Sequence, residues 1–157
     1  MTAASFMERL HRLERLYAEN PLYFITFCTA GRKRILASAK VHAAFIDFCG
    51  AALERKIFVG RYILMPDHIH LFVKLPPPAE NLSSWIKSLK NFLSKKLKEQ
   101  GAAPPHWQKG FFDRVLRSSE SYSEKWLYVV ENSIRAGLVK SWTDWPYQGE
   151  IHGLGFD

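Results

Sequence analysis

The segment Met65-Pro66-Asp67-His68-Ile69-His70-Leu71-Phe72-Val73 decides the fold prediction for this chain. Pro66 and Asp67 are residue types that turns favour. Residues 57–65 before the turn and 68–75 after it are rich in the β-branched and aromatic side chains typical of strands. We therefore predict a β-hairpin around this turn.

The second strand of the hairpin would have two unlike faces, because alternate residues of a strand point to opposite sides. One face is apolar and should pack on the core: Ile69, Leu71, Val73 and Leu75. The other face carries His68 and His70, followed by Phe72 and Lys74. Two imidazoles on one rigid face can bind one divalent metal ion. Two surface histidines in a hairpin would give the same pattern, so the pair alone leaves both interpretations open.

Working outward from the hairpin, the chain shows four predicted helices and two further strands. Apolar spacing and capping residues favour helices over 5–18, 38–55, 82–100 and 120–136, and β-branched or aromatic runs favour strands over 23–29 and 111–117. From the first strand onward, the order β-α-β-β-α-β-α suits the α+β class. We expect a ferredoxin-like (RRM-like) antiparallel β-sheet with helices packed on one face, plus a C-terminal helix. Residues 1–157 would form a single domain, with residues 1–19 as a candidate N-terminal helical extension.

The C-terminal helix carries the second group of reactive side chains. Four apolar residues follow helical spacing and should face the core: Leu127, Val130, Ile134 and Leu138. Tyr128 and Asn132 are four residues apart and would lie on a neighbouring face. A phenol can attack phosphorus, and an amide oxygen can complete a metal site. A half-buried tyrosine at the edge of the core would give the same pattern.

The chain is basic, and its charge is unevenly distributed. The formal net charge is +7. From Asn81 to Arg117 there are eight Lys or Arg residues against two acids, whereas residues 118–157 contain three bases and six acids. A concentrated positive zone indicates a phosphate backbone as partner, although a solvated lysine-rich helix would give the same count.

Other features exclude several protein classes. No apolar run approaches the ~20 residues of a membrane span, and residues 1–19 are too charged for a secretion signal. Cys28 and Cys49 form no CxxC pair, which argues against a zinc-thiolate site and favours two buried thiols. We therefore expect a soluble cytoplasmic protein without a membrane partner.

Four segments occur in a recognisable order and at recognisable separations. They are Tyr23-Phe24-Ile25-Thr26, His68-Ile69-His70, Trp107-Gln108-Lys109-Gly110-Phe111-Phe112-Asp113 and the stretch from Tyr128 to Leu138. Together they resemble the REP-associated tyrosine transposases, relatives of the IS200/IS605 transposases within the HUH endonuclease class. The resemblance extends over residues 20–147.

The resemblance implies a metal-dependent single-stranded DNA endonuclease and transposase. His68 and His70 would be paired ligands of Mg²⁺ or Mn²⁺, with Asn132 as the third ligand. Tyr128 would displace a 3′-hydroxyl and form a 5′-phosphotyrosine, which allows both cleavage and rejoining. The substrate would be a palindromic repeat folded as a hairpin, and the enzyme would act as a monomer or homodimer. The family usually has Asn-Pro where this chain has Asn132 followed by Ser133.

Basic and aromatic residues supply candidate DNA contacts. The backbone contacts would be Arg32, Lys33, Arg34, Lys87, Lys90, Lys95, Lys96, Arg114 and Arg117. Phe72 and Trp107 could stack on bases, with packing in the core as the alternative. His106, which precedes Trp107, is a further candidate for the site.

Two other functions stay open from the sequence. A non-catalytic single-stranded nucleic-acid-binding protein with a ferredoxin-like fold would account for the sheet and the basic residues. It would leave the His68/His70 and Tyr128/Asn132 pairs unexplained. A metal-dependent hydrolase that uses water would need the histidines but not the phenol of Tyr128.

Overall fold

The computed structural model of the protein describes residues 2–4, 21–75, 80–116 and 119–154. All of the predicted N-terminal helix over 5–18 lies outside these residues, as does Arg117. Within the described ranges, every helix is too short or too polar to cross a lipid bilayer.

A five-stranded antiparallel sheet forms the centre of the protein. The strands are β1 (Leu22–Cys28), β2 (Phe58–Leu64), β3 (His68–Lys74), β4 (Phe112–Leu116) and β5 (Gln148–Glu150), in the spatial order β4-β1-β3-β2-β5. The predicted hairpin is confirmed, because β2 and β3 pair antiparallel on either side of the Pro66–Asp67 turn. β5 has no counterpart in the sequence prediction, since three residues are too few to show an alternating pattern.

The described helices connect or follow these strands. They are α1 (Ala39–Ala51), α2 (Glu80–Glu99), α3 (Ser119–Val130) and the short α4 (Asn132–Arg135), with 3-10 helices at Ala30–Arg32, Ala52–Arg55 and Trp142–Asp144. Ser38 begins α1, and its hydroxyl accepts a hydrogen bond of 3.2 Å from the backbone amide of Val41. Lys56, with a φ of 61°, ends the 3-10 turn that follows α1.

Each face of the sheet has its own hydrophobic core. On the first face, α1 and α2 pack on Ile69, Leu71 and Val73 of β3. On the second face, Tyr122 and Trp126 of α3 pack on side chains that point the other way, including Phe72. The α+β class and the antiparallel sheet are therefore confirmed, with α3 as the C-terminal helix that carries Tyr128.

The predicted core face of the C-terminal helix is wrong at two of its four positions, whereas Val130 is buried and Leu138 packs against the second core. Leu127 is 63% exposed and Ile134 is 37% exposed. The buried residues in this region are Tyr122, Trp126, Val129, Val130 and Ser133. Tyr and Trp bury much more apolar area than Leu or Ile, so the two aromatic side chains set the orientation of the helix. The helix is also interrupted, because α3 ends at Val130 and α4 begins at Asn132.

Candidate active site

His68 and His70 project from β3 onto the second face of the sheet, which α3 partly covers. Their ring centroids are 4.8 Å apart. Phe24 of β1 stacks on His70, with ring centroids 5.3 Å apart and an interplanar angle of 21°. The two imidazoles are therefore fixed side by side on rigid strands.

Each imidazole has an oxygen partner at its Nδ1 atom. Nδ1 of His68 lies 2.8 Å from Oδ1 of Asp67, and Nδ1 of His70 lies 2.7 Å from Oγ1 of Thr26. With the proton on Nδ1, both rings donate to these oxygens and keep the lone pair of Nε2 for a ligand. Histidines that bind metals in proteins usually have such an oxygen partner on the other nitrogen.

The electrostatic environment keeps both rings neutral. Burial, together with the positive charges of His68, Lys125 and Arg135, lowers the pKa of His70 to about 3. Burial also lowers the pKa of His68, although Asp67 opposes this shift. Burial alone would raise the pKa of Asp67, but hydrogen bonds from Arg32 and His68 lower it overall. The site therefore combines neutral imidazoles, an ionised carboxylate and several cations.

Asn132 shares a surface cavity with the first histidine. The cavity has a volume of about 360 Å³, and its walls include Asp67, His68, Asn132 and Arg135. Oδ1 of Asn132 accepts a hydrogen bond of 3.2 Å from the guanidinium of Arg135. An amide oxygen has two lone pairs, so it can accept this bond and bind a metal ion at the same time.

Tyr128 stands next to this cavity, one helical turn before Asn132, with a side chain that is 60% exposed. The guanidinium of Arg135 lies over the phenol ring, 4.4 Å from its centroid, and donates to the backbone oxygen of Tyr128 at 2.7 Å. The ammonium of Lys125 lies 5.2 Å from the same ring centroid. Arg135 therefore links the phenol to the amide, although Tyr128 itself lines a different cavity.

The donor set fits a divalent cation with some oxygen ligands. Among the described residues, no cluster of three or more His, Cys, Asp and Glu side chains could hold a metal ion. A third protein ligand would therefore have to be another residue type, and Asn132 is an oxygen donor in the same cavity as His68. Two imidazoles and one amide leave several positions for water and phosphate oxygens, which suits Mg²⁺ or Mn²⁺.

Comparisons with known proteins identify the family of the chain. The family model described as "Transposase IS200 like" matches residues 18–132. The chain belongs to the IS200-like transposase family. The REP-associated tyrosine transposase of Escherichia coli (strain K12) is 22% identical over 133 residues, which cover 85% of this chain and 78% of that relative.

A solved structure shows the same fold as this transposase family member. It is a REP-associated tyrosine transposase bound to a REP hairpin, with a TM-score of 0.64 and 19% sequence identity. The match covers 89% of this chain and 92% of the solved chain. The resemblance stated from the sequence segments is therefore confirmed at the level of family and fold.

Three of the arginines predicted to bind DNA, Arg32, Arg34 and Arg114, lie on the side of the transposase that carries the histidines. Arg32 and Arg34 line the cavity of His68, and Nε of Arg32 donates to Oδ2 of Asp67 at 2.9 Å. Lys33 is exposed beside them. Arg114 lines the second cavity, together with Tyr128.

The other four lysines predicted to bind DNA lie on α2, which packs on the first face of the sheet, opposite the histidines. Lys87 and Lys95 are exposed, and Lys96 pairs with Glu99 at 3.4 Å. These side chains can reach only DNA that passes around the edge of the sheet. Their role as DNA contacts stays a prediction.

Lys90 has structural partners within the protein. Its ammonium donates to the backbone oxygen of Gln108 at 3.1 Å and also to that of Gly110. It lies 5.6 Å from the ring centroid of Phe27, and burial lowers its pKa. Lys90 therefore fixes the loop before β4. This structural role could not be predicted from its charge alone.

Three side chains suggested for the site pack inside the protein. Phe72 is 0% exposed, so for this residue the alternative of core packing is confirmed and base stacking is excluded. Trp107 is half-buried, and its indole donates to Lys90 O and Ser94 Oγ, both at 3.0 Å. His106 is buried, with ring nitrogens 3.0 Å from Ser94 Oγ and 2.9 Å from Ala102 O. Both therefore belong to the α2 side of the fold.

Sequence reasoning missed the residues that support the site. Thr26, Asp67, Lys125 and Arg135 all contact a candidate metal ligand or Tyr128. Three of them gave a signal, because Asp67 directly precedes His68, and Thr26 and Arg135 lie within segments that carried the resemblance. Cys28 was predicted to be buried but is half-exposed, with its sulfur accepting a hydrogen bond of 3.3 Å from Arg32. Cys49 is buried, as predicted.

Proposed function

We propose that this transposase cleaves and rejoins single-stranded DNA through a covalent bond between Tyr128 and a DNA 5′-phosphate. One observation carries the proposal: a single guanidinium, that of Arg135, contacts both the phenol of Tyr128 and the amide of Asn132. Asn132 in turn lines one cavity with His68. These contacts support a role for Tyr128 as nucleophile near the candidate metal ligands, in a chain of a transposase family.

The proposed metal site consists of Nε2 of His68 and His70 and the amide oxygen of Asn132. These atoms would hold Mg²⁺ or Mn²⁺. The bound cation would polarise the scissile phosphate as a Lewis acid and orient it for attack. Asp67 and Thr26 would keep the two rings in the required orientation through their contacts with Nδ1.

Tyr128 would perform the bond exchange. Its phenol oxygen attacks phosphorus, the bond from phosphorus to O3′ breaks, and the phenol proton leaves as O3′ gains one. The product is a 5′-phosphotyrosine and a free 3′-hydroxyl. Because the phosphodiester is exchanged for another phosphate ester, a DNA 3′-hydroxyl can reverse the step and join strands.

Cations beside the phenol would stabilise the charge of the phosphate. Arg135 and Lys125 lie 4.4 Å and 5.2 Å from the ring centroid of Tyr128. A guanidinium can donate two parallel hydrogen bonds to phosphate oxygens. Arg32 and Arg34, which line the cavity of His68, would bind the adjacent backbone.

The substrate would be a palindromic repeat folded as a hairpin, as in the solved relative bound to a REP hairpin. The cut would lie in a single-stranded flank, because a duplex would keep its phosphate out of the site. The lysines of α2 would contact the hairpin stem only if it extends around the sheet edge. A binder without catalysis is less well supported, since binding alone needs neither two oriented neutral imidazoles nor an exposed phenol beside them.

Incubation with hairpin DNA that carries single-stranded flanks, in the presence of Mg²⁺ or Mn²⁺, tests this function. We expect a covalent protein–DNA band on a denaturing gel with the wild type, and none with Tyr128→Phe or His70→Ala. Tyr147→Phe, which removes a phenol hydroxyl elsewhere, is the matched control and should keep the band. A band that persists in Tyr128→Phe, or cleavage without any adduct, would contradict the tyrosine mechanism and favour a hydrolase that uses water.

A further inference from the structure

A second cavity adjoins Tyr128 on the side away from His68. It has a volume of about 510 Å³ and lies between the edge strand β4 and helix α3. Arg114 and Leu116 of β4 form one wall, and Glu124 and Lys125 of α3 form the other. The mechanism proposed above does not use this space.

Tyr128 stands at the boundary between the two cavities. On one side, Arg135 covers the phenol ring and lines the cavity of His68 and Asn132. On the other side, Tyr128 and Lys125 line the cavity beside β4. A DNA strand whose phosphate reaches both the phenol and the histidines would therefore place one neighbouring nucleotide beside each cavity.

We propose that the cavity beside β4 binds the nucleoside that stays attached to Tyr128 through its 5′-phosphate. This inference rests on the function proposed above. In an in-line displacement, the leaving O3′ lies opposite the attacking phenol oxygen across phosphorus, so the released strand points away from Tyr128. The retained nucleoside is then the one that comes nearest to a cavity that Tyr128 itself lines.

The size and chemistry of the cavity suit a nucleoside. Its volume of about 510 Å³ lies within the ~300–1,000 Å³ typical of small-molecule sites. Leu116 offers an apolar surface to a base or sugar, and Arg114 can contact the next phosphate. Glu124 can only accept hydrogen bonds, so it would pair with N–H groups on the edge of the base.

The first test fills the cavity and removes the base. Substrates with an abasic site at the retained nucleotide, or at the released one, are compared in wild type and Glu124→Trp. In the wild type, loss of the retained base should lower the rate of adduct formation about tenfold, a size typical of one base contact. In Glu124→Trp, the indole occupies the cavity, so loss of the retained base should change the rate of adduct formation by less than about twofold.

The second test changes the chemistry of the wall without filling it. Glu124→Gln adds an N–H donor, so the order of preference among the four bases at the retained position should change. For at least one pair of bases at the retained position, we expect the ratio of the two rates of adduct formation to change about fivefold or more. Preferences at the released position should stay the same.

Asp47→Asn is the matched control, because Asp47 is exposed on α1, which packs on the opposite face of the sheet. It should behave as the wild type in both tests, and thermal melts should confirm that every variant folds. The proposal would be overturned if the decreases in adduct rate caused by Glu124→Trp and by an abasic retained nucleotide were simply additive. It would also be overturned if Glu124→Trp changed the effect of an abasic released nucleotide instead. If the wild type forms no adduct at all, the proposed function itself is contradicted, and with it the assignment of the cavity beside β4 to the retained nucleoside.

Discussion

Strand β3 contributes side chains to both faces of the sheet, to a hydrophobic core on the first face and to the candidate active site on the second. On the first face, Leu71 of β3 is fully buried under α1 and α2, in a hydrophobic core. On the second face, its neighbour His70 lies beside Phe24 and Thr26, near the cations of α3 and α4. Because side chains alternate along a strand, the packing that stabilises the fold also fixes the position of the reactive group.

The largest difference between the faces should appear with Tyr128→Phe. Removal of the phenol oxygen should reduce covalent adduct formation about a thousandfold or more, since this oxygen is the proposed acceptor of the phosphate. Tyr128 is 60% exposed, so the free energy of unfolding should change by less than about 0.5 kcal/mol. Adduct gels and urea denaturation measure the two effects. A large decrease in the free energy of unfolding would show that Tyr128 on the second face also stabilises the fold.

Leu71→Ala should give the opposite result. Leu71 is 0% exposed, and truncation of such a residue lowers the free energy of unfolding by about 2–5 kcal/mol. Activity at low temperature, where the variant still folds, should fall much less than in Tyr128→Phe. Leu127→Ala is the control, because Leu127 is 63% exposed and should alter stability by less than about 0.5 kcal/mol.

Asp67→Asn tests the support of the histidines. Asp67 contacts Nδ1 of His68 at 2.8 Å, and loss of such a partner typically weakens metal binding about 10–100-fold. The Mn²⁺ concentration for half-maximal adduct formation should rise by this factor, with activity recovering at saturating metal. Glu99→Gln, which removes an exposed carboxylate on α2, should leave the titration unchanged. An unchanged titration in Asp67→Asn as well would remove Asp67 from the site.

The smallest effect should come from His42 on the first face, whose ring lies 2.8 Å from the hydroxyl of Tyr62. Burial lowers the pKa of His42 below 6.5. Just below pH 6.5 the unfolded chain therefore binds more protons than the folded protein, and stability falls as the pH falls. His42→Gln should make the decrease between pH 7.5 and 5 shallower in urea denaturation. Parallel pH profiles for the two proteins would mean that His42 does not titrate in this way.

Local patterns in the sequence predicted much of this arrangement. The alternation around His68 and His70 gave the hairpin and its two faces, because that pattern depends only on neighbouring residues. The orientation of α3 could not be predicted in this way, because it depends on which side chains pack against the sheet. Trp126 packs there in place of Leu127. The resemblance supplied Tyr128 and Asn132 as a pair. The structure added Arg135 as the residue that contacts both.

The hydrogen bonds of Lys90 have a consequence for the ionic-strength dependence of DNA binding. Each ammonium that replaces a counterion on single-stranded DNA steepens the plot of log affinity against log salt by about 0.7. Lys90 already donates two of its three N–H groups to the carbonyls of Gln108 and Gly110, so only one N–H is left for a phosphate oxygen. The number of ions released when this protein binds DNA will therefore be smaller than the number of lysines on α2 implies.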